Sequence, residues 1–110
     1  MKILILGSNG LLGNTITKYF FEKENYQTIA ILRDYSKLKL FHKKFHQKFL
    51  LIENILDYDE TKKKIKSIKP DILINCLGIT NKEITTNPMQ IEKFIKINSL
   101  FPHWLQRLCL

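Results

Sequence analysis

Near its amino end the chain runs Ile3-Leu4-Ile5-Leu6 directly into Gly7-Ser8-Asn9-Gly10-Leu11-Leu12-Gly13, placing three glycines at a spacing of three. An unbroken aliphatic run this short suits a strand covered on both faces. A helix follows, for which Leu12, Ile16, Tyr19 and Phe20 mark an apolar face. Each glycine has a physical task in such a strand-turn-helix unit. Gly7 permits a tight turn out of the strand, Gly10 lets a ligand approach the backbone, and Gly13 lets the helix lie close to the sheet. The first N–H groups of the helix then face outward at the positive end of its dipole, an arrangement that binds anions and suits a pyrophosphate. No Gly-Lys-Ser/Thr follows, so the turn is not a Walker loop.

The rest of the chain repeats the alternation. Thr28–Leu32, Phe49–Ile52 and Ile72–Leu77 are aliphatic or β-branched runs predicted as buried strands. Asp57–Lys69 reads as a helix, acidic at its start and lysine-rich towards its end, and Pro70 stops it. Asn87-Pro88 supplies a cap and a first-turn proline for a further helix that turns Ile91, Phe94, Ile95, Leu105 and Leu108 inward. Continuous apolar strands alternating with helices predict an α/β fold with a parallel sheet and right-handed crossovers. With 110 residues there is length for one domain or part of one, so residues 1–110 are read as a single partial domain.

Eighteen Lys and Arg against ten Asp and Glu leave a formal charge of +8, which favours acidic partners without choosing among them. No apolar run approaches the roughly 20 residues of a membrane span. The apolar start passes straight into Gly and Asn, unlike a signal peptide. Cys76 and Cys109 lack the number and spacing of a disulfide framework or a zinc site, and no metal site is expected. The chain reads as soluble and cytoplasmic with reduced thiols.

The opening MKILILGSNGLLG resembles the extended short-chain dehydrogenase/reductase family, and two later segments strengthen the likeness. Asp71-Ile-Leu-Ile-Asn75-Cys76-Leu77-Gly78 is similar to that family's fourth-strand segment ending in Asn-x-x-Gly, and Ile97-Asn98-Ser99-Leu100-Phe101-Pro102-His103 to its asparagine-bearing helix. Within the family the likeness is nearest to dTDP-4-dehydrorhamnose reductases and related sugar-nucleotide reductases, over the N-terminal portion only. The resemblance implies a Rossmann-like, doubly wound parallel sheet, incomplete at about four strands. It also implies an NAD(P) site formed by Gly7, Asn9, Gly10, Leu11, Leu12 and Gly13, with Asn54 and Ile55 at the adenine and Leu77 and Gly78 at the ribose. Asn75 would tie neighbouring strands together. Asn98 would supply a backbone carbonyl that anchors a water in the proton relay. Pro102, lacking an N–H, cannot bond that carbonyl, and a local helix distortion is expected.

An NAD-preferring site usually ends its second strand with an acid for the ribose 2′-hydroxyl. Here Leu32 or Arg33 fills that position, and a guanidinium suits the 2′-phosphate of NADP, with Lys37 near enough to assist. NADP(H) is therefore expected over NAD(H), although one residue of loop register would bring Asp34 into play. Asp57 is read as a helix cap and Cys76 as a small core residue.

Catalysis in the family needs a Ser or Thr and a Tyr-x-x-x-Lys pair beyond the asparagine helix, where this sequence has none. Tyr19-x-x-x-Lys23 matches the pattern but lies in the first helix, on or near its core face, and is set aside. The expected function is the cofactor-holding portion of a reductase passing hydride from NADPH to a keto-sugar nucleotide, in carbohydrate (dTDP-rhamnose) biosynthesis. The sugar nucleotide would be bound only in a full-length enzyme. The alternative is a non-catalytic dinucleotide-binding module or a truncated, inactive fragment. As a fragment it would be marginally stable or self-associating. A nucleic-acid role, hinted at by Arg33–Lys48 with Phe41, Phe45 and Phe49 among the basic residues, is disfavoured because Leu38, Phe41 and Phe45 have the spacing of residues that pack on the sheet, leaving the lysines solvated.

Overall fold

The structure, a computed structural model, describes residues 1–79 and 87–110, which fall into two compact units, Met1–Cys76 and Leu77–Leu110. In the first unit four strands, β1 (Lys2–Leu6), β2 (Gln27–Leu32), β3 (Phe49–Leu51) and β4 (Ile72–Asn75), form one sheet in the order β3-β2-β1-β4. All three pairings are parallel, with Ile5 opposite both Ala30 and Ile74, and Ile31 opposite Leu50. β1 is the hydrophobic centre: Ile3, Leu4, Ile5 and Leu6 are buried, as a strand covered on both faces requires. β4 is less covered than its sequence predicts. Ile72 is 41% exposed and Leu73 to Asn75 are half-buried, because β4 is an edge strand of this sheet and has a ladder partner on one side only among the described residues.

Helix α1 (Leu11–Phe21) follows β1, and its buried face is not the expected one. Tyr19 is 57% exposed and Leu12 is also in solvent, whereas Gly13, Thr17 and Phe21 are buried. The small residues at 13 and 17 let the helix come close to the sheet, and the buried row is the i, i+4, i+8 line they start. Bulk hydrophobicity alone chose a neighbouring stripe.

The basic connection from β2 to β3 is built from two 3-10 turns, Tyr35–Leu40 and Lys43–Lys48. Their apolar residues close a core cluster of Phe21, Ala30, Leu32, Phe41 and Phe49, with Leu38 and Phe45 packed against it. Phe41 and Phe49 have ring centroids 4.7 Å apart, and Phe21 and Phe45 5.1 Å apart. Two lysines of this segment also lie over the rings, Lys44 4.8 Å from the Phe45 centroid while still exposed, and Lys48 5.5 Å from that of Phe21.

Helix α2 (Tyr58–Ile68) is capped by Asp57, whose carboxylate accepts from Glu60 N–H at 3.2 Å. It ends at Lys69, which adopts a left-handed conformation (φ 53°) and returns its N–H to Ile65 O, with Pro70 next. Lys2 clamps this end to β1: its Nζ donates to Ile68 O, and its backbone N–H to Asp71 Oδ2, both at 2.7 Å.

The second unit holds α3 (Pro88–Ile95) and α4 (Phe101–Cys109), joined without a break by a π turn over Lys96–Leu100. Asn87 caps α3 through its side chain, accepting from Met89 N–H at 3.1 Å, and Pro88 occupies the first turn. Here the expected set is met in part: Leu105 is buried as expected and Phe94 and Leu108 are half-buried. Ile91 and Ile95 are exposed, and Ile97, Phe101 and Leu105 are buried. The π turn inserts into the 3.6-residue repeat, so a face extrapolated from Ile91 no longer meets Leu105.

Candidate functional site

At the carboxyl end of β1 the chain turns at Gly7, whose φ of 77° is open to glycine and costly for other residues. Gly10 N–H donates to Gly7 O at 3.3 Å, closing the turn, and Gly10 then stands at the N-cap of α1. The three glycines are required for different reasons. A Cβ on Gly13 would sit 1.8 Å from Gly7 O and 3.2 Å from the Cβ of Cys76, so the helix start touches both the turn and the end of β4 through bare backbone. A Cβ on Gly10 meets only Gly7 O, at an ordinary 3.7 Å, and Gly10 has unstrained dihedrals of −76° and 171°. Among the described residues nothing demands glycine at position 10.

Helix geometry leaves the N–H groups of Leu11, Leu12 and Gly13 without intrahelical acceptors. In α2 and α3 a side chain caps the first turn, whereas α1 has no side-chain cap and no acid in its first turn. Asn9 and Gly10 are exposed, and Leu11 and Leu12 are 93% and 64% exposed. Among the described residues the turn therefore presents an open backbone surface with unpaired donors and two solvent-facing leucines, suited to a bound anion.

Sequence reasoning missed Ser8. Its side chain is fully buried and its hydroxyl donates 2.9 Å to Ile31 O, joining the turn to the end of β2. The only signal in the sequence is a hydroxyl directly after the first glycine. Two residues beyond Ile31, Arg33 is exposed. The Asp34 carboxylate accepts from Ser36 N–H at 2.9 Å and from the Ser36 hydroxyl, which caps the first 3-10 turn. Those bonds, with the Lys37 and Arg33 charges, hold the Asp34 carboxyl below the usual carboxylate range.

After β3, the Asn54 side-chain oxygen accepts from Leu56 N–H at 3.1 Å, and Asn54 O accepts from Asp57 N–H at 3.0 Å. Ile55 O accepts from the Thr61 hydroxyl at 2.9 Å. Both residues thus build the turn into α2, and the Asn54 amide keeps its NH₂ donors. Burial pushes the Cys76 thiol up, and its N–H continues the ladder to Leu6 O at 2.9 Å.

In the second unit Asn98 clamps Ile79 from both sides: its Oδ1 accepts from Ile79 N–H and its Nδ2 donates to Ile79 O, each at 2.8 Å. Only a side-chain amide offers that paired donor and acceptor, and this role was not read from the sequence. Among the described residues a Cβ on Gly78 meets only Asn98 Oδ1, at an ordinary 3.8 Å. Leu77 is half-buried. Asn98 lies in the π turn, where Phe101 N–H returns to Lys96 O and Pro102 has no N–H to offer Asn98 O. The expected distortion takes this form.

Three tyrosines have a lysine four residues on: Tyr19 with Lys23, Tyr35 with Lys39, and Tyr58 with Lys62. They lie in α1, the first 3-10 turn and the start of α2, so Tyr19 shares the pattern with two others and, being exposed, is not on the core face expected for it. None follows Asn98 in the sequence. The rings a nucleic-acid reading would use, Phe41, Phe45 and Phe49, belong to the core cluster or pack on it. No described helix is long and apolar enough to cross a membrane.

A parallel sheet in the order β3-β2-β1-β4 with flanking helices, and a glycine turn leading from its central strand into an uncapped helix, define a Rossmann-like α/β fold. The profile of the NAD dependent epimerase/dehydratase family matches residues 3–109, and the chain belongs to that family. Among solved structures it is similar to ElxO with NADP bound (20% identity, TM-score 0.73), over 99% of this chain and 48% of that one. It is also similar to UDP-glucuronic acid 4-epimerase from Bacillus cereus in complex with UDP-glucuronic acid and NAD (18%, TM-score 0.76, 99% and 36%). A third is 4-hydroxyisoleucine dehydrogenase complexed with NADH (25%, TM-score 0.73, 96% and 46%). The chain thus spans half or less of the length of these structures. Among curated protein sequences, none matches.

Proposed function

We propose that the chain is the dinucleotide-holding portion of a cytoplasmic sugar-nucleotide reductase of the dTDP-4-dehydrorhamnose reductase kind, acting in carbohydrate biosynthesis and passing hydride from NADPH to a keto-sugar nucleotide. The observation that carries this reading is the contrast between glycines. Gly7 and Gly13 answer to the fold, whereas Gly10 has room for a side chain and borders free N–H groups, as a site shaped for a close ligand does.

In this reading the pyrophosphate lies on the N–H groups that open α1, beside Asn9, Gly10, Leu11 and Leu12. The bound nicotinamide supplies the hydride. Arg33 takes the 2′-phosphate with Lys37. Both hydrogen bonds to Asp34 fall on Oδ1, so the preference for NADPH over NADH rests on the paired cations Arg33 and Lys37. Asn54 offers its NH₂ to the adenine beside Ile55, and Leu77 and Gly78 border the nicotinamide-side ribose. The Asn98 carbonyl holds a water of the proton relay. The free Cys76 and Cys109 support the cytoplasmic setting.

Titration with NADPH and NADH tests this reading. NADPH binds more tightly, and Arg33→Ala weakens NADPH about tenfold while changing NADH by less than about twofold. Equal dissociation constants for the two cofactors would refute the preference, and binding of neither would refute the function. A second reading is a dinucleotide-binding module without turnover. Oxidation of NADPH by the purified chain with a keto-sugar nucleotide would eliminate it.

A further inference from the structure

We propose that Ser8 is a positioning residue that locks the pyrophosphate turn to the strand end carrying Arg33, and so sets the spacing between two subsites of one ligand. This inference rests on the dinucleotide reading above. In the β2–β3 ladder, Leu32 O accepts from Ile52 N–H, so the Leu32 carbonyl faces β3 and that of Ile31, by alternation, faces β1. The β1–β2 register ends at Ile5 opposite Ala30, and the chain then swings away at Gly7. The Ser8 hydroxyl therefore takes the place of the next backbone donor and extends the ladder by one rung across the turn.

Its complete burial gives that bond weight, because an unpaired carbonyl at Ile31 would be costly. The geometric consequence concerns a long ligand. A dinucleotide has a fixed covalent distance between its pyrophosphate and its adenosine 2′ position. A turn free to rock against β2 would hold each end adequately but lose the register between them. Ser8 touches neither end; it acts through Ile31, two residues before Arg33.

The test compares a ligand that spans both subsites with one that reaches only the β2 end. For Ser8→Ala the dissociation constant of NADPH rises about tenfold, and that of adenosine 2′-phosphate changes by less than about twofold. Ser8→Thr, which keeps the hydroxyl, restores NADPH binding. Amide hydrogen exchange of residues 8–11 in free Ser8→Ala is faster than in the parent. If Ser8→Ala does not melt cooperatively, Ser8→Cys, with similar volume and a weak donor, carries the same comparison. Equal loss for both ligands, or no loss for either with the parent binding normally, overturns the role of Ser8 alone. A parent chain that binds neither ligand overturns the dinucleotide reading and this inference with it.

Discussion

Substituting alanine at Gly13 and at Gly10 should have opposite effects on stability, although the residues are three apart on one turn. At Gly13 the new Cβ would lie 1.8 Å from Gly7 O and 2.7 Å from Gly7 C. Taking about 3.0 Å as the shortest tolerable separation, the helix start or the turn must move by about 1.2 Å, and both colliding atoms are backbone, with no rotamer to escape into. A gap of 0.5–1 Å forfeits roughly a quarter to a half of each dispersion contact along the helix–sheet face. Overpacking of this kind costs about 1–3 kcal/mol and occasionally more. The rigid target puts Gly13→Ala at about 3 kcal/mol, a large part of the roughly 5–15 kcal/mol that holds a domain together. At Gly10 the Cβ has ordinary contacts and the dihedrals suit alanine. There, reduced freedom of the unfolded chain makes the change neutral or stabilising by up to about 1 kcal/mol. Circular-dichroism melts should therefore show Tm lowered by about 12 °C or more for Gly13→Ala and unchanged or slightly raised for Gly10→Ala. Calorimetric titration of Gly10→Ala should show dinucleotide affinity reduced at least about tenfold, since the added methyl stands where the ligand approaches. Equal Tm values for the two variants would refute the assignment of one glycine to packing and the other to the ligand.

Three further outcomes follow from single features. Lys69 holds a left-handed conformation at the end of α2, so Lys69→Gly should raise stability by about 0.5–1 kcal/mol in urea denaturation. The Thr28 hydroxyl is buried without a hydrogen-bond partner among the described residues; Thr28→Val, similar in size and well suited to a strand, should stabilise by about 1 kcal/mol and raise Tm by several degrees. Burial raises the Cys76 thiol and leaves it less ionised at mildly alkaline pH, whereas Cys109 is exposed. Mass spectrometry of iodoacetamide-treated protein at pH 8 should find Cys109 modified first.

Much of this architecture could be read from local chemistry. Strands as short and aliphatic as Ile3–Leu6 have few alternatives to a covered parallel sheet, and Asp57, Asn87 and Pro88 announce helix starts by hydrogen-bonding rules that act within a few residues. The glycine turn was legible for the same reason: Gly7 and Gly13 encode a local dihedral and a close approach that only glycine allows. Tertiary packing decided which helical faces are buried. Gly13 and Thr17 outrank larger apolar neighbours in α1 because closeness to the sheet governs the contact, and around the π turn at Lys96–Leu100 Ile97 and Phe101 join the expected Leu105 in the buried row while Ile91 and Ile95 stay exposed. It also decided the bonds that bridge distant segments, Ser8 to Ile31 and Asn98 to Ile79, because a serine or asparagine has many local partners open to it and only the folded backbone presents the one it takes.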